Sequence, residues 1–141
     1  KELNLNFLSV ASMLTLLANY FELRGKGTIA VIGSVAGDRG RQSNYVYGTA
    51  KAALAVFLQG IRNRLHPAGV KVITIKPGFV ASPMTAHLEH NALFVTSEKA
   101  GQAVYRAMKK GKDVTYIPGF WRWIMLIIIH IPEGIFKKLK L

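Results

Sequence analysis

Hydrophobic and polar positions alternate between two periods along this 141-residue chain, and the alternation predicts an α/β order of elements. In the stretch 4–23, Phe7, Leu8, Met13, Leu14, Leu16, Leu17, Tyr20 and Phe21 spread around much of a helical circumference, and Gly25 and Gly27 end the helix. Thr28–Ile32 is a short, partly β-branched apolar run, which predicts a strand buried on both faces of a parallel sheet. The polar segment 37–44 is turn-rich and is expected to line the mouth of a site. A second helix is predicted from Asn44 to about Leu65, stopped by the run from His66 to Gly69. Ala50, Ala52, Ala53 and Ala55 keep its middle low, so another helix can approach it closely. Val70–Ile75 and Val114–Ile117 read as further strands, separated by a helix that Thr96 or Ser97 opens and the run Lys109-Lys110-Gly111 closes. The expected sheet therefore carries three parallel strands joined by right-handed crossovers.

The pattern changes at the carboxyl end. From Trp123 to Ile129 apolar side chains cover the whole circumference, so a helix there is not expected to lie on a globular surface with one face in water. The run is about a dozen residues, too short for a span that needs ~20. Trp121, Trp123, Arg122 and the late lysines suit an interfacial helix on an anionic membrane, with burial in the core or in a dimer as the alternative. Two regions result: 1–119, an α/β domain, and 120–141, a hydrophobic and basic tail.

Composition narrows the classes. A hydrophobic content of 50% can fill a core. There is no cysteine, hence no disulfide or thiolate chemistry. The net charge of +12 raises nucleic acid as a partner, but the basic residues are scattered and form no recognisable nucleic-acid motif. No secretory signal is visible. His87 and His90 stand three apart without a third defined ligand, so no metal site is read from them. The glycines of 25–27 and 37–40 lack the spacing of a phosphate-cradling Gly-x-Gly-x-x-Gly turn and read as caps and turns.

The residues that point to chemistry are Ser34, Tyr47 and Lys51. Tyr47 and Lys51 are four apart on the second helix, so phenol and ammonium project from one face about a turn apart. A nearby cation favours the phenolate and is expected to lower the tyrosine pKa, which readies the group to exchange a proton with a carbonyl or alcohol. Ser34 stands thirteen residues earlier, where an apolar strand ends, and its hydroxyl can bond the same oxygen.

That constellation resembles the short-chain dehydrogenase/reductase family, which pairs Tyr-x-x-x-Lys with an upstream serine at this spacing. After the second strand, Lys76-Pro77-Gly78-Phe79-Val80-Ala81-Ser82-Pro83-Met84 is similar to the family's Pro-Gly loop beside the nicotinamide, with Ser82 where a threonine is usual. Asn6 lies twenty-eight residues before Ser34 and resembles the family's helix asparagine that anchors a proton-relay water; Asn4 competes for that place. The resemblance implies Ser34, Tyr47, Lys51 and Asn6 as catalytic residues, and Tyr47, Lys51, Pro77, Gly78, Val80 and Ser82 against a bound NAD or NADP. The family's Gly-rich turn and Asn-Asn-Ala-Gly segment have no counterpart here. The chain, which starts at Lys1 and not at Met, therefore reads as the carboxyl-terminal part of a Rossmann-type doubly wound sheet with a hydrophobic helical tail, inactive by itself.

The runs Tyr116–Met125, Ile131–Leu139 and Ser34–Tyr45 are similar to reductases of the decaprenylphosphoryl-2-keto-ribose type. This implies reduction of a 2-keto pentose carried on a polyprenyl phosphate, on the inner face of the cell membrane or in the cytoplasm, by a homodimer or tetramer. A fatty-acyl or sterol ketoreductase, and a noncatalytic membrane or dimerisation module, are the alternatives.

Overall fold

The computed structural model describes residues 1–86 and 91–140. In chain order its elements are α1 (Ser9–Arg24), β1 (Gly27–Ile32), α2 (Tyr45–Leu65), β2 (Val70–Pro77), β3 (Phe79–Ala81), β4 (Phe94–Thr96), α3 (Ser97–Lys110), β5 (Val114–Ile117), α4 (Trp121–His130) and α5 (Glu133–Phe136). The main sheet is parallel with order β1–β2–β5, and its register sets Ile32 beside Ile75 and Pro77 beside Ile117. Helices cover both faces. Leu14 and Ala18 of α1 and Leu54, Leu58, Ile61 and Leu65 of α2 pack with Ile29, Val70 and Val72 on one side. Ala107 of α3 packs with Ile73, Ile75 and Ile117 on the other. A fully buried leucine such as Leu54 or Leu58 contributes roughly 1.5–3 kcal/mol relative to its exposed state.

The helix boundaries follow the capping residues. Gly25 ends α1 in the left-handed region, at φ 68°, where its amide bonds the Phe21 and Glu22 carbonyls. Thr96 rather than Ser97 opens α3, its Oγ1 accepting the Lys99 amide at 3.3 Å. Arg62 of α2 reaches the sheet with three donors, to the Val72 carbonyl, the buried Thr74 hydroxyl and the Asp113 carbonyl, each at 2.8 Å.

Three features differ from the sequence-based expectation. Only the central strand is buried on both faces: β2 is, whereas β1 stands at the edge of the described sheet with Ile32 half exposed. An apolar cleft of about 520 Å³ runs along β1, lined by Leu14, Phe21, Ile29, Val31 and Met108. A second sheet, the parallel pair β3–β4, was not anticipated, because three-residue strands after a Pro-Gly turn are too short to show a period. Phe79 and Phe94 stack across it at 5.1 Å.

The tail also departs from expectation. Helix α4 does lie on the fold with one face inward: Trp121 and Met125 are buried against Val35, and Ile124 and Ile128 pack beside them. Its other face leaves Trp123, Leu126 and Ile127 exposed. The packed face needs only four positions, so an all-apolar circumference did not force complete burial. No helix among the described residues is long and apolar enough to cross a membrane.

Candidate active site

One cleft of about 660 Å³ collects the chemistry, a size within the ~300–1,000 Å³ usual for small-molecule sites. Four pieces of chain build it. The first is the start of the long first helix, where residues 4–8 form a π-helical turn that interrupts the α pattern leading into α1. Asn6 sits in that turn and lines the cleft, its Nδ2 donating to Glu2 Oε2 at 2.8 Å. Asn4 is exposed and is not among the lining residues, so the structure separates the two candidates.

The second piece is the exit of β1. The Gly33 amide bonds the Ile75 carbonyl at 2.7 Å, which carries the parallel ladder one residue past the strand and aims Ser34 at the cleft. Ser34 Oγ accepts the Ala36 amide at 3.1 Å and caps the short turn Val35–Gly37. A Cβ on Gly37 would lie 2.7 Å from the Lys51 carbonyl carbon, so only glycine lets this turn rest on the backbone of α2.

The third piece is the first turn of α2. Tyr47 faces Ser34, whose hydroxyl favours the ionised phenol, but burial acts more strongly and pushes the tyrosine pKa up, with the Glu2 carboxylate adding to the rise. This corrects the expectation that Lys51 lowers it. The Lys51 ammonium lies 5.7 Å from the centre of the Tyr47 ring and bonds the Ile32 carbonyl at 3.4 Å. Burial also pushes the Lys51 pKa down, while Glu2 opposes that shift. The serine, the tyrosine and the asparagine share the cleft; Lys51 stands behind the tyrosine, one turn deeper along α2.

The fourth piece is the loop after β2. Gly78 and Phe79 line the cleft. Pro77 is the last residue of β2, Val80 pairs with Val95, and Ser82 begins the turn that follows. The threonine on this side is Thr85, whose Oγ1 donates to the Val80 carbonyl at 2.6 Å and accepts the Ser82 amide at 3.1 Å. The sequence reading missed it, although Ser82-x-x-Thr85 is the spacing of a capping pair. Glu2 is a further lining residue without a signal in the sequence, whereas Arg41 and Asn44 belong to the segment 37–44 expected at the mouth. His87 and His90 lie outside the described residues.

Two further contacts fix the walls. Asp38 takes Lys76 as an ion pair and accepts the Tyr116 hydroxyl at 2.8 Å, which ties the loop after Ser34 to the ends of β2 and β5. Arg39 donates to the Ile128, Ile129 and Ile131 carbonyls at 2.7–3.1 Å, pairs with Glu133 at 2.8 Å and lies 3.9 Å over the Phe136 ring. The end of α4 is thereby held against the loop that leads to Tyr47.

A dinucleotide fits this donor set as far as the chain shows it. The Tyr47 hydroxyl, the Ser34 hydroxyl and Gly78 of the Pro-Gly loop open on one cavity with Thr85, and the Lys51 ammonium lies 5.7 Å from the Tyr47 ring centre.

The family model of short chain dehydrogenases matches residues 1–93. An uncharacterized oxidoreductase of Mycobacterium tuberculosis is 37% identical over 134 residues, 95% of this chain and 54% of the relative. Another from Streptomyces coelicolor is 32% identical, over 82% of this chain and 46% of the relative. The chain thus spans about half the length of the curated relatives it matches. Among solved structures, a Burkholderia cenocepacia short chain dehydrogenase in complex with NADP superposes with a TM-score of 0.75 at 21% identity, over 92% of this chain and 58% of that one. A bulky-bulky ketone specific alcohol dehydrogenase from Comamonas testosteroni gives 0.63 at 26% identity, over 83% and 48%.

Proposed function

From the chain's membership of the short chain dehydrogenase family, we propose that it carries the proton-transfer half of an NAD(P)H-dependent ketone reductase. The observation that carries the reading is the meeting of Ser34, Tyr47 and Asn6 with Gly78 and Thr85 on one cleft. When bound, the nicotinamide supplies the hydride. Tyr47 gives its proton to the carbonyl oxygen, and a pKa raised by burial keeps the phenol in that donor form at neutral pH. Ser34 bonds the same oxygen and orients it. Lys51 would hold the ribose hydroxyls of the bound cofactor, and Asn6, whose amide donates to Glu2, would hold the water that returns a proton to Tyr47. Val80, Pro77 and Ser82 shape the loop that would hold the carboxamide.

The substrate of this reading is a 2-keto pentose on a polyprenyl phosphate. The likeness to a dehydrogenase specific for bulky ketones supports a large substrate. The exposed face of α4, with Arg122 and the lysines at 137, 138 and 140, supports peripheral contact with an anionic membrane at the cytoplasmic side. Exposed Leu16, Tyr20 and Val56 on α1 and α2 support pairing with a second copy.

Tyr47→Phe in the complete enzyme tests the chemistry. NADPH oxidation with a short prenylphosphoryl 2-keto-pentose should vanish while the Kd of NADPH stays within a few-fold. Near-normal turnover in that variant rejects the assignment.

A further inference from the structure

The strands β1, β2 and β5 are parallel, so the chain leaves all three at one end of the sheet, and a single carboxylate joins the three exits. Asp38 lies four residues after Ser34, Lys76 directly precedes Pro77-Gly78, and Tyr116 is the register partner of Lys76 on β5. One oxygen of Asp38 takes the Lys76 ammonium as an ion pair, and the other accepts the Tyr116 hydroxyl at 2.8 Å. The same ammonium lies 5.5 Å from the centre of the Tyr116 ring, so the three side chains close on one another.

The pair is well shielded, with side-chain exposures of 8% for Asp38 and 13% for Lys76. Taking two charges out of water is costly, and an apolar pair of similar volume often serves stability as well or better. What the ion pair adds is geometry, because each carboxylate oxygen has its own partner on a different strand. That geometry leads to Ser34. From Ser34 to Asp38 the chain is one tight turn, with the Gly37 amide on the Ser34 carbonyl at 3.3 Å and the Asp38 amide on the Val35 carbonyl at 3.1 Å. Ser34 Oγ accepts the Ala36 amide within it, so a shift of Asp38 is passed to the serine with little slack. On the other side, the Gly78 amide bonds the Ile117 carbonyl at 2.8 Å, which fixes the Pro-Gly step to the end of β5. Ser34 and Gly78 both line the cleft, and the ion pair spans the chain just behind them.

We propose that Asp38 is a positioning residue that acts through Ser34: held by Lys76 and Tyr116, it sets the serine hydroxyl against the Pro-Gly wall, so that the hydroxyl meets Tyr47 and the ketone oxygen together. This deepens the ketoreductase reading and rests on it for the reaction, though not for the contact of Ser34 with Tyr47.

The test uses the complete protein carrying Asp38→Asn together with Lys76→Met. The pair of changes removes both charges, conserves the net charge and leaves an amide oxygen to accept the Tyr116 hydroxyl. Two readouts are taken in a cycle with Ser34→Ala. The first is the NMR signal of tyrosine labelled with carbon-13 at the hydroxyl-bearing ring carbon, the Tyr47 signal being identified by its loss in Tyr47→Phe. Ser34→Ala should move that signal, the paired variant should move it in the same direction, and the combination should move it no further than Ser34→Ala alone. The second is turnover of the short prenylphosphoryl 2-keto-pentose. The paired change should lower kcat about 10- to 100-fold, as a small misplacement of a reacting group does, with the Kd of NADPH within a few-fold. In the Ser34→Ala background it should lower kcat no further. A merely structural role would lower the thermal midpoint and multiply the loss in both backgrounds. A Tyr47 signal that the paired change leaves in place, or equal effects with and without the serine hydroxyl, overturns the proposal. If the paired variant fails to fold, Tyr116→Phe takes its place: it removes one of the two bonds to Asp38 and should move the Tyr47 signal the same way by less, and no movement overturns the proposal. Absence of turnover in the wild type rejects the ketoreductase reading alone, because the Tyr47 signal decides the placing of Ser34 without catalysis.

Discussion

Replacing Gly78 by alanine tests how the cleft wall is built. A Cβ at that position would lie 2.0 Å from Trp121 Nε1 and 2.2 Å from the adjoining ring carbon. That is about 1.5 Å inside the ~3.5 Å at which such atoms touch. The indole has little room to withdraw. It is only 4% exposed, meets the Phe79 ring edge-on at 5.4 Å and lies over Phe120 at 6.1 Å. The alternative is a shift of the loop, which would move Phe79 and the cleft with it. Overpacking of this kind costs about 1–3 kcal/mol, and each kcal/mol lowers the midpoint by roughly 2–4 °C for a protein of 150–250 residues. Gly78→Ala in the complete enzyme should therefore melt several degrees lower and bind NADPH more weakly. The decisive arm is a double-mutant cycle with Trp121→Leu, which vacates the space the methyl needs. The double variant should be more stable than the sum of the single changes predicts, by about 1 kcal/mol or more. A melting point unchanged in Gly78→Ala, or strict additivity in the cycle, would refute the contact as the reason for glycine.

Two other outcomes follow from the contacts at the cleft rim. Arg39→Ala removes the shared anchor of the α4 carbonyls, so trypsin should cut the segment 137–140 several-fold faster, whereas Glu133→Gln, at a carboxylate 77% exposed, should change the rate little. Alkaline pH should unfold the protein by a defined route. Burial, and then the Asp38 carboxylate, raise the Tyr116 pKa above its ordinary value of 10.0, and Tyr47 is raised as well. The folded state thus keeps protons that the unfolded chain gives up. Stability is flat with respect to these groups below pH 10 and falls as pH rises beyond it. Tyr116→Phe should make that fall shallower, measured by urea midpoints between pH 9 and 11.

Legibility followed the length of the pattern. The second helix was readable to within a residue, Asn44–Leu65 against Tyr45–Leu65, because six turns of apolar spacing end at Pro67 and Gly69. The strand Val114–Ile117 was readable because Gly111 and Pro118 bracket it. Spacing along one helix also placed Tyr47 and Lys51 on a common face. What spacing cannot carry is burial, which depends on residues far away in sequence. The Tyr47 pKa was expected to fall and rises, because desolvation outweighs the Ser34 hydrogen bond. The one-sided packing of α4 was hidden for the same reason: which face meets Val35 is set by Gly78 and Arg39, distant in sequence. Arg41 and Asn44 belong to the segment expected at the mouth, but that Arg41 Nε and Asn44 Oδ1 are buried without a partner among the described residues is not legible in sequence.

The grip of Arg39 on the carbonyls of α4 bears on the order in which the molecule becomes a working object. Arg39 and Ile128 are 89 residues apart, so on a ribosome adding ~5–20 residues per second the loop waits roughly 5–20 s for its partner. Trp121, which walls off Gly78, is also made late. Nascent chains that already contain Ser34, Tyr47 and Lys51 still lack the wall that holds the Pro-Gly loop and the anchor that holds the mouth. The closed cleft is therefore conferred by the segment made after Ser34, Tyr47 and Lys51, and a chain cut short before residue 121 would carry those side chains with no vessel to hold them.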